Sequence, residues 1–156
     1  MKKTKLIIYT LFISLSGILL FSGASVRSAE KWKWTGTYAD ATVMTREDLD
    51  KILADHKKWI DTKEDKGIRA NLSWCDLSEA SLSYANLSKA NLSHAKLIGT
   101  DLSYANLRYT DLSHAKLINS NLTKANLTRA YLANATLKET DLLDATISYA
   151  NFKKSV

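Results

Sequence analysis

Residues 84–107 read YANLSKANLSHAKLIGTDLSYANL, and within them a leucine returns at every fifth position with alanine or threonine two places before it. The rule extends in both directions without a gap. The large apolar positions are Leu72, Leu77, Leu82, Leu87, Leu92, Leu97, Leu102, Leu107, Leu112, Leu117, Leu122, Leu127, Leu132, Leu137, Leu142, Ile147 and Phe152, seventeen repeats in all. The small positions are alanine in twelve repeats and otherwise Cys75, Thr100, Thr110, Ser120 and Thr140. A repeat this regular takes precedence over local propensity. On an α-helix, five residues advance about 140° beyond a full turn, so the leucines would be smeared around the cylinder. On a flat strand, an odd period sends successive leucines to opposite faces. The remaining solution is a chain that turns a corner every five residues and points each leucine and its small partner inward.

The number of sides follows from a longer repeat. Residues 93–98 spell SHAKLI, and residues 113–118 spell it again twenty residues later. Twenty residues make four sides, so each side stacks on the one twenty residues further on. Seventeen repeats give four and a quarter coils, about 20 Å tall at the inter-strand spacing of about 4.8 Å.

The segments ANLSW at Ala70, YANLSKANLSHAKL at Tyr84 and TKANLTRAYLANATL at Thr123 resemble the pentapeptide-repeat family, whose unit is a small residue, Asn or Asp, Leu, and two variable polar residues. The resemblance covers residues 70–152. It implies an all-β solenoid, a right-handed quadrilateral β-helix with leucine and alanine inward and the other three positions outward. It also implies that a helix preceding GIRANL at residues 67–72 is an N-terminal α-helical cap over the first coil's unpaired edge, which is otherwise a pairing liability.

That helix is legible independently. TREDLDKILADHKKWI at residues 45–60 places Leu49, Ile52, Leu53, His56, Trp59 and Ile60 at helical spacing, with Thr45 and Asp48 as a capping box, so a helix is expected over about 46–60. Before it, Trp32, Trp34 and Tyr38 alternate with polar residues, as in a short extended piece with one apolar face.

Residues 1–29 carry three lysines, an apolar run from Leu6 to Phe21 and then small residues up to Ala29, the pattern of a signal peptide with a boundary between 24 and 29. The 16-residue run is shorter than the roughly 20 needed to span a bilayer. Export to the periplasm or beyond the bacterial cell is therefore expected, with retention on the inner membrane by an uncleaved leader as the alternative. The chain then divides into residues 1–29 as leader, 30–67 as arm and capping helix, and 68–156 as repeat β-helix. Without Lys2, Lys3, Lys5 and Arg27 the chain has 18 basic against 16 acidic residues, a net of about +2 that gives no charge argument for nucleic acid. The lone Cys75 has no internal disulfide partner and sits at an inward slot, inert.

Stacking by twenty turns the sequence into vertical columns. Trp74, His94 and His114 share one, Lys96 and Lys116 another, Tyr84 and Tyr104 a third, while Lys89, Tyr109, Arg129 and Tyr149 alternate cation and aromatic along an edge. These exposed residues are the candidate binding surface. Two histidines one strand spacing apart suggest a shared metal, but duplication of SHAKLI explains the pair without one, and no metal or other cofactor is expected. The Tyr, Lys and Arg edge offers stacking and charge for an anionic polymer or a glycan, although cross-strand packing alone also accounts for aromatic columns. Lys96 over Lys116 is a like-charge contact that costs a little stability.

No glycine-rich phosphate loop or acid–base cleft is evident, so the chain reads as no enzyme but as a non-catalytic interaction scaffold for an unknown protein or envelope polymer. The alternative is a DNA mimic acting on a topoisomerase, as the resemblance implies for some members. The leader and the slightly basic body weigh against it, and no nucleic-acid partner is expected. After Phe152 only KKSV remains to cover the last coil, which points to a homodimer through that coil or to Lys153 and Lys154 as charged gatekeepers.

Overall fold

The computed structural model describes residues 34–156; the expected leader, and Trp32 of the arm, lie outside them. From residue 71 onward the chain repeats one five-residue unit, a single bridging residue followed by a turn. The bridges are parallel and join each residue to the one twenty further on, as in Asn71 with Asn91, Asp76 with Lys96, Ser81 with Asp101 and Asn86 with Asn106. Four bridges per coil define four sides. Side 1 is centred on Leu72, Leu92, Leu112, Leu132 and Phe152. Side 2 is centred on Leu77, Leu97, Leu117 and Leu137, side 3 on Leu82, Leu102, Leu122 and Leu142, and side 4 on Leu87, Leu107, Leu127 and Ile147.

Each side repeats the same main-chain bonds. Leu72 N–H donates to Asn91 O (2.7 Å), Trp74 N–H to Ser93 O (3.0 Å) and Asn91 N–H returns to Ala70 O (3.0 Å). Cys75 N–H closes the corner onto Leu72 O (3.3 Å). The asparagine or aspartate before the leucine braces that corner: Asn91 Oδ1 accepts from Ser93 N–H (3.0 Å) and from its hydroxyl (2.8 Å). Short polar side chains favour such local bonds, which is why Asn, Asp and Ser recur in the unit. In all seventeen repeats the residue two after the central one has a positive φ, near +60°, and only Gly99 among them is glycine.

The leucines from Leu72 to Leu132 are at most 1% exposed. Each burial of this size contributes about 2 kcal/mol. Where the inward small residue is threonine, its hydroxyl finds a carbonyl one coil down, Thr100 donating to Leu77 O (2.8 Å) and Thr110 to Leu87 O (2.6 Å), whereas Ser120 donates within its own turn to Leu117 O (2.7 Å). Cys75 is buried, which pushes its thiol pKa up and leaves it unreactive. The inward expectation weakens at the last coil, above which no coil lies among the described residues. Leu137, Leu142 and Phe152 are only half-buried, and Ile147 is 49% exposed.

At the other end lies a hairpin of β1 (Thr35–Thr37) and β2 (Val43–Thr45), followed by α1 (Arg46–Asp61). The arm is thus a paired hairpin rather than a lone extended piece. Thr37 exchanges two backbone bonds with Asp76 (3.0 and 2.9 Å), an antiparallel bridge onto the first coil. Gly36 makes this approach feasible, since a Cβ there would sit 2.2 Å from Asp76 O. The α1 capping box is formed as the spacing predicts, Thr45 and Asp48 bonding reciprocally. Several first-coil groups are met from this segment: Trp34 Nε1 donates to Ser78 O (2.9 Å), Arg46 to Ser81 O (2.7 Å), and His56 Nδ1 accepts from Ala70 N–H (3.1 Å).

Candidate binding surface

The candidate residues separate onto two parts of the solenoid. Trp74, His94 and His114 form the corner after side 1, stacked at 4.0 and 4.5 Å between centroids and within 3° of parallel. Asn134 Nδ2 contacts His114 Nε2 at 3.3 Å. This geometry does not suit a shared ion. Parallel rings point their nitrogens side by side, whereas an ion about 2.1 Å from each needs them to converge. Among the described residues, no group of three or more metal-ligating side chains is gathered anywhere. Around the same corner, Lys96 Nζ meets Asp76 Oδ2 at 3.3 Å, which offsets the contact with Lys116.

The other five candidates converge on side 4. In chain order this side is entered past Tyr84, Tyr104 and Lys124 and left through Lys89, Tyr109, Arg129 and Tyr149, so two ridges bracket it. On the first ridge, Tyr84 and Tyr104 stack at 4.7 Å and 7°. Lys124 Nζ lies 5.3 Å from the Tyr104 ring and 3.3 Å from its hydroxyl, a bond that raises the lysine pKa. On the second, the Arg129 guanidinium lies 5.5 Å from the Tyr109 ring and 5.7 Å from that of Tyr149, and donates to Tyr109 Oη at 2.7 Å. Lys89 pairs with Glu64 at 2.5 Å and lies 5.9 Å from the Trp59 ring.

Between the ridges the floor is polar: Asn86, Asn106 and Asn126 in one column, Ser88, Arg108, Thr128 and Ser148 in the next. Asn106 Nδ2 donates to Asn86 Oδ1 at 3.2 Å. The floor runs under α1 through two shallow clefts of about 320 and 310 Å³, the first lined by Lys63, Lys89 and Arg108, the second by Lys57 and Tyr84. Lys57, Lys63, Arg108 and Lys124 are not among the binding-surface candidates that the sequence singles out. Column arithmetic contains the signal for Lys124 and Arg108, because one continues the Tyr84–Tyr104 column and the other neighbours Tyr109. Lys57 and Lys63 join only through the placement of α1, which no repeat encodes.

The structure defines a solenoid repeat protein, with a continuous core and outward columns available for contact. Pentapeptide repeats match over residues 70–107, 85–123 and 125–155, more than half of the sequence. The chain belongs to the pentapeptide-repeat family, and its solenoid is the right-handed β-helix of that family. It is similar to HetL, a pentapeptide repeat protein involved in heterocyst differentiation regulation from the cyanobacterium Nostoc sp. strain PCC 7120, with 35% identity and a TM-score of 0.52 over 59% of this chain and 41% of HetL. It is also similar to Rfr23 from the cyanobacterium Cyanothece 51142, with 35% identity and a TM-score of 0.55 over 60% of this chain and 67% of that one. The chain thus spans less than half the length of HetL. No curated protein matches. The family consists in general of structural and interaction proteins, and no catalytic family is indicated.

Proposed function

We propose that the protein is an exported, non-catalytic scaffold that presents one rigid side of its β-helix to a protein or envelope polymer. The observation that carries this reading is side 4, a polar floor held flat by main-chain bonds and bracketed by two ridges of tyrosines and cations. Binding gains from such fixed geometry because little side-chain entropy remains to be lost on contact. The hairpin and α1 act as the N-terminal cap, occupying the first-coil groups that would otherwise template another strand. The lysine-rich start and the apolar run after it support export.

Two measurements test the reading. The first is N-terminal sequencing of the protein from the envelope fraction: a start between residues 25 and 30 supports export, and a start at Met1 removes it. The second is capture from an envelope extract on the immobilised protein. A component retained by the native chain and lost when Tyr104 and Arg129 are replaced supports the scaffold role, and no retained component refutes it.

A further inference from the structure

We infer that side 4 binds an acidic polysaccharide, an inference that rests on the scaffold reading and names its ligand. Three observations select this class over other anions. First, successive ring faces along each ridge are interrupted: Tyr84 and Tyr104 cover each other, and Arg129 lies between Tyr109 and Tyr149, although Tyr84 and Tyr149 stay largely exposed. Stacking of a row of nucleic-acid bases needs a run of open ring faces, so the ridges offer mainly hydroxyls and charge. Second, the backbone of side 4 is spent on its own ladder, with Leu87 bonded to Asn106, Lys89 to Arg108, Leu107 to Asn126 and Tyr109 to Thr128. An extended peptide adding as a strand finds no free edge across that face below the last coil.

Third, the floor suits a hydroxyl-rich chain. Ser88 and Thr128 donate their hydroxyls to Asn86 and Asn126 at 2.7 and 2.6 Å, which leaves oxygen lone pairs to accept from sugar hydroxyls. Along the second ridge, cations Lys89 and Arg129 stand two coils apart, about 10 Å, with Tyr109 between them. A pyranose ring advances its chain by a distance close to one coil, so a polymer alternating a neutral sugar with a uronate keeps step with the coils and brings a carboxylate to Arg129, while at Lys89 it competes with Glu64. Arg108 and Lys63 extend the positive wall at the α1 end. The acidic groups bordering the strip are Glu64, already paired with Lys89, and Asp144 at the far end of the first ridge.

The test uses the protein with hyaluronate, an alternating uronate–hexosamine polymer, beside neutral dextran, poly-glutamate and oligothymidylate, with binding measured at low and high salt. Hyaluronate is expected to bind best, to weaken with salt, and to lose at least tenfold in affinity in an Arg108→Glu, Arg129→Glu variant. Lys96→Glu on side 2 leaves it unchanged. Since Arg129 also braces its ridge, Lys63→Glu with Arg108→Glu provides a second variant away from that contact, and thermal melts identify any variant that fails to fold. Absence of hyaluronate binding, equal affinity for poly-glutamate or oligothymidylate, or unaltered binding by both folded variants overturns the inference. Capture of an envelope component through another side, with no polysaccharide bound, leaves the scaffold reading standing while this inference falls.

Discussion

The residue two after each leucine sits at positive φ, a region that costs an ordinary L-residue about 1–2 kcal/mol. Sixteen non-glycine residues accept that cost, among them Trp74, Tyr84, His94 and Arg129, and none is Val, Ile or Thr, whose branched Cβ makes such a conformation a true outlier. Two effects offset it. The backbone N–H of each such residue below the last coil reaches a carbonyl one coil on, as His94 does to Ser113 (2.9 Å), and the side chains stack on their column neighbours. Where no stack exists, relief is expected. Glu139→Gly should stabilise by about 0.5–1 kcal/mol, whereas Asn119→Val should destabilise by about 1–3 kcal/mol. Chemical denaturation of the two variants checks both signs, and a neutral Asn119→Val would mean that the turn geometry carries no strain.

At the scale of elements, α1 is joined to the first coil through His56, which is fully buried, stacks on Trp59 at 5.6 Å and accepts from Ala70 N–H. Its Nε2 has no hydrogen-bond partner. Burial holds its pKa below the usual value, the Ser88 carbonyl favours the proton, and the nearby Arg69 charge opposes it. A depressed folded pKa for a base means that the neutral form is the folded one. The stability it contributes is complete above about pH 6.5 and is lost as pH falls through the folded value. Thermal melts between pH 8 and pH 5 should show this loss, and His56→Gln, which keeps an acceptor for Ala70 but does not titrate, should flatten the slope. A native-like slope in that variant would assign the acid sensitivity elsewhere. Gly67, at φ +85°, lets the chain fold back closely against α1, since a Cβ there would lie 2.4 Å from Asp55 O.

Over the whole molecule, much of the architecture was legible because one rule governs it. The leucine period fixed the sides, the SHAKLI pair fixed the coil at twenty residues, and together they placed every column. What lay beyond reach depends on contacts that no period encodes. The hairpin pairs Thr35–Thr37 with Val43–Thr45 and docks through Thr37 on Asp76, thirty-nine residues further on, and Ala41 at φ 64° gives its turn no glycine signal. The pairing of Tyr84 with Tyr104 and of Arg129 with Tyr109 follows from side-chain packing, which the column arithmetic places side by side but does not orient. In the last described coil the inward Ile147 is 49% exposed, beside half-buried Phe152. A dimer through this coil is expected in sedimentation at micromolar concentration and should dissociate on Phe152→Asp. A native monomer, or a dimer indifferent to the substitution, removes that interface. The twenty-residue register has a different consequence, for length. Excising residues 94–113 joins Ser93 to His114 and leaves the local sequence SHAKLI intact, so a shorter rod with every surviving column in phase should fold, melting at lower temperature. Excising only five residues rotates everything above the cut by one side, so the core survives while the two halves of side 4 no longer meet. Recognition in this molecule is therefore encoded modulo twenty, and coils can be gained or lost as whole units without rewriting what the surface displays.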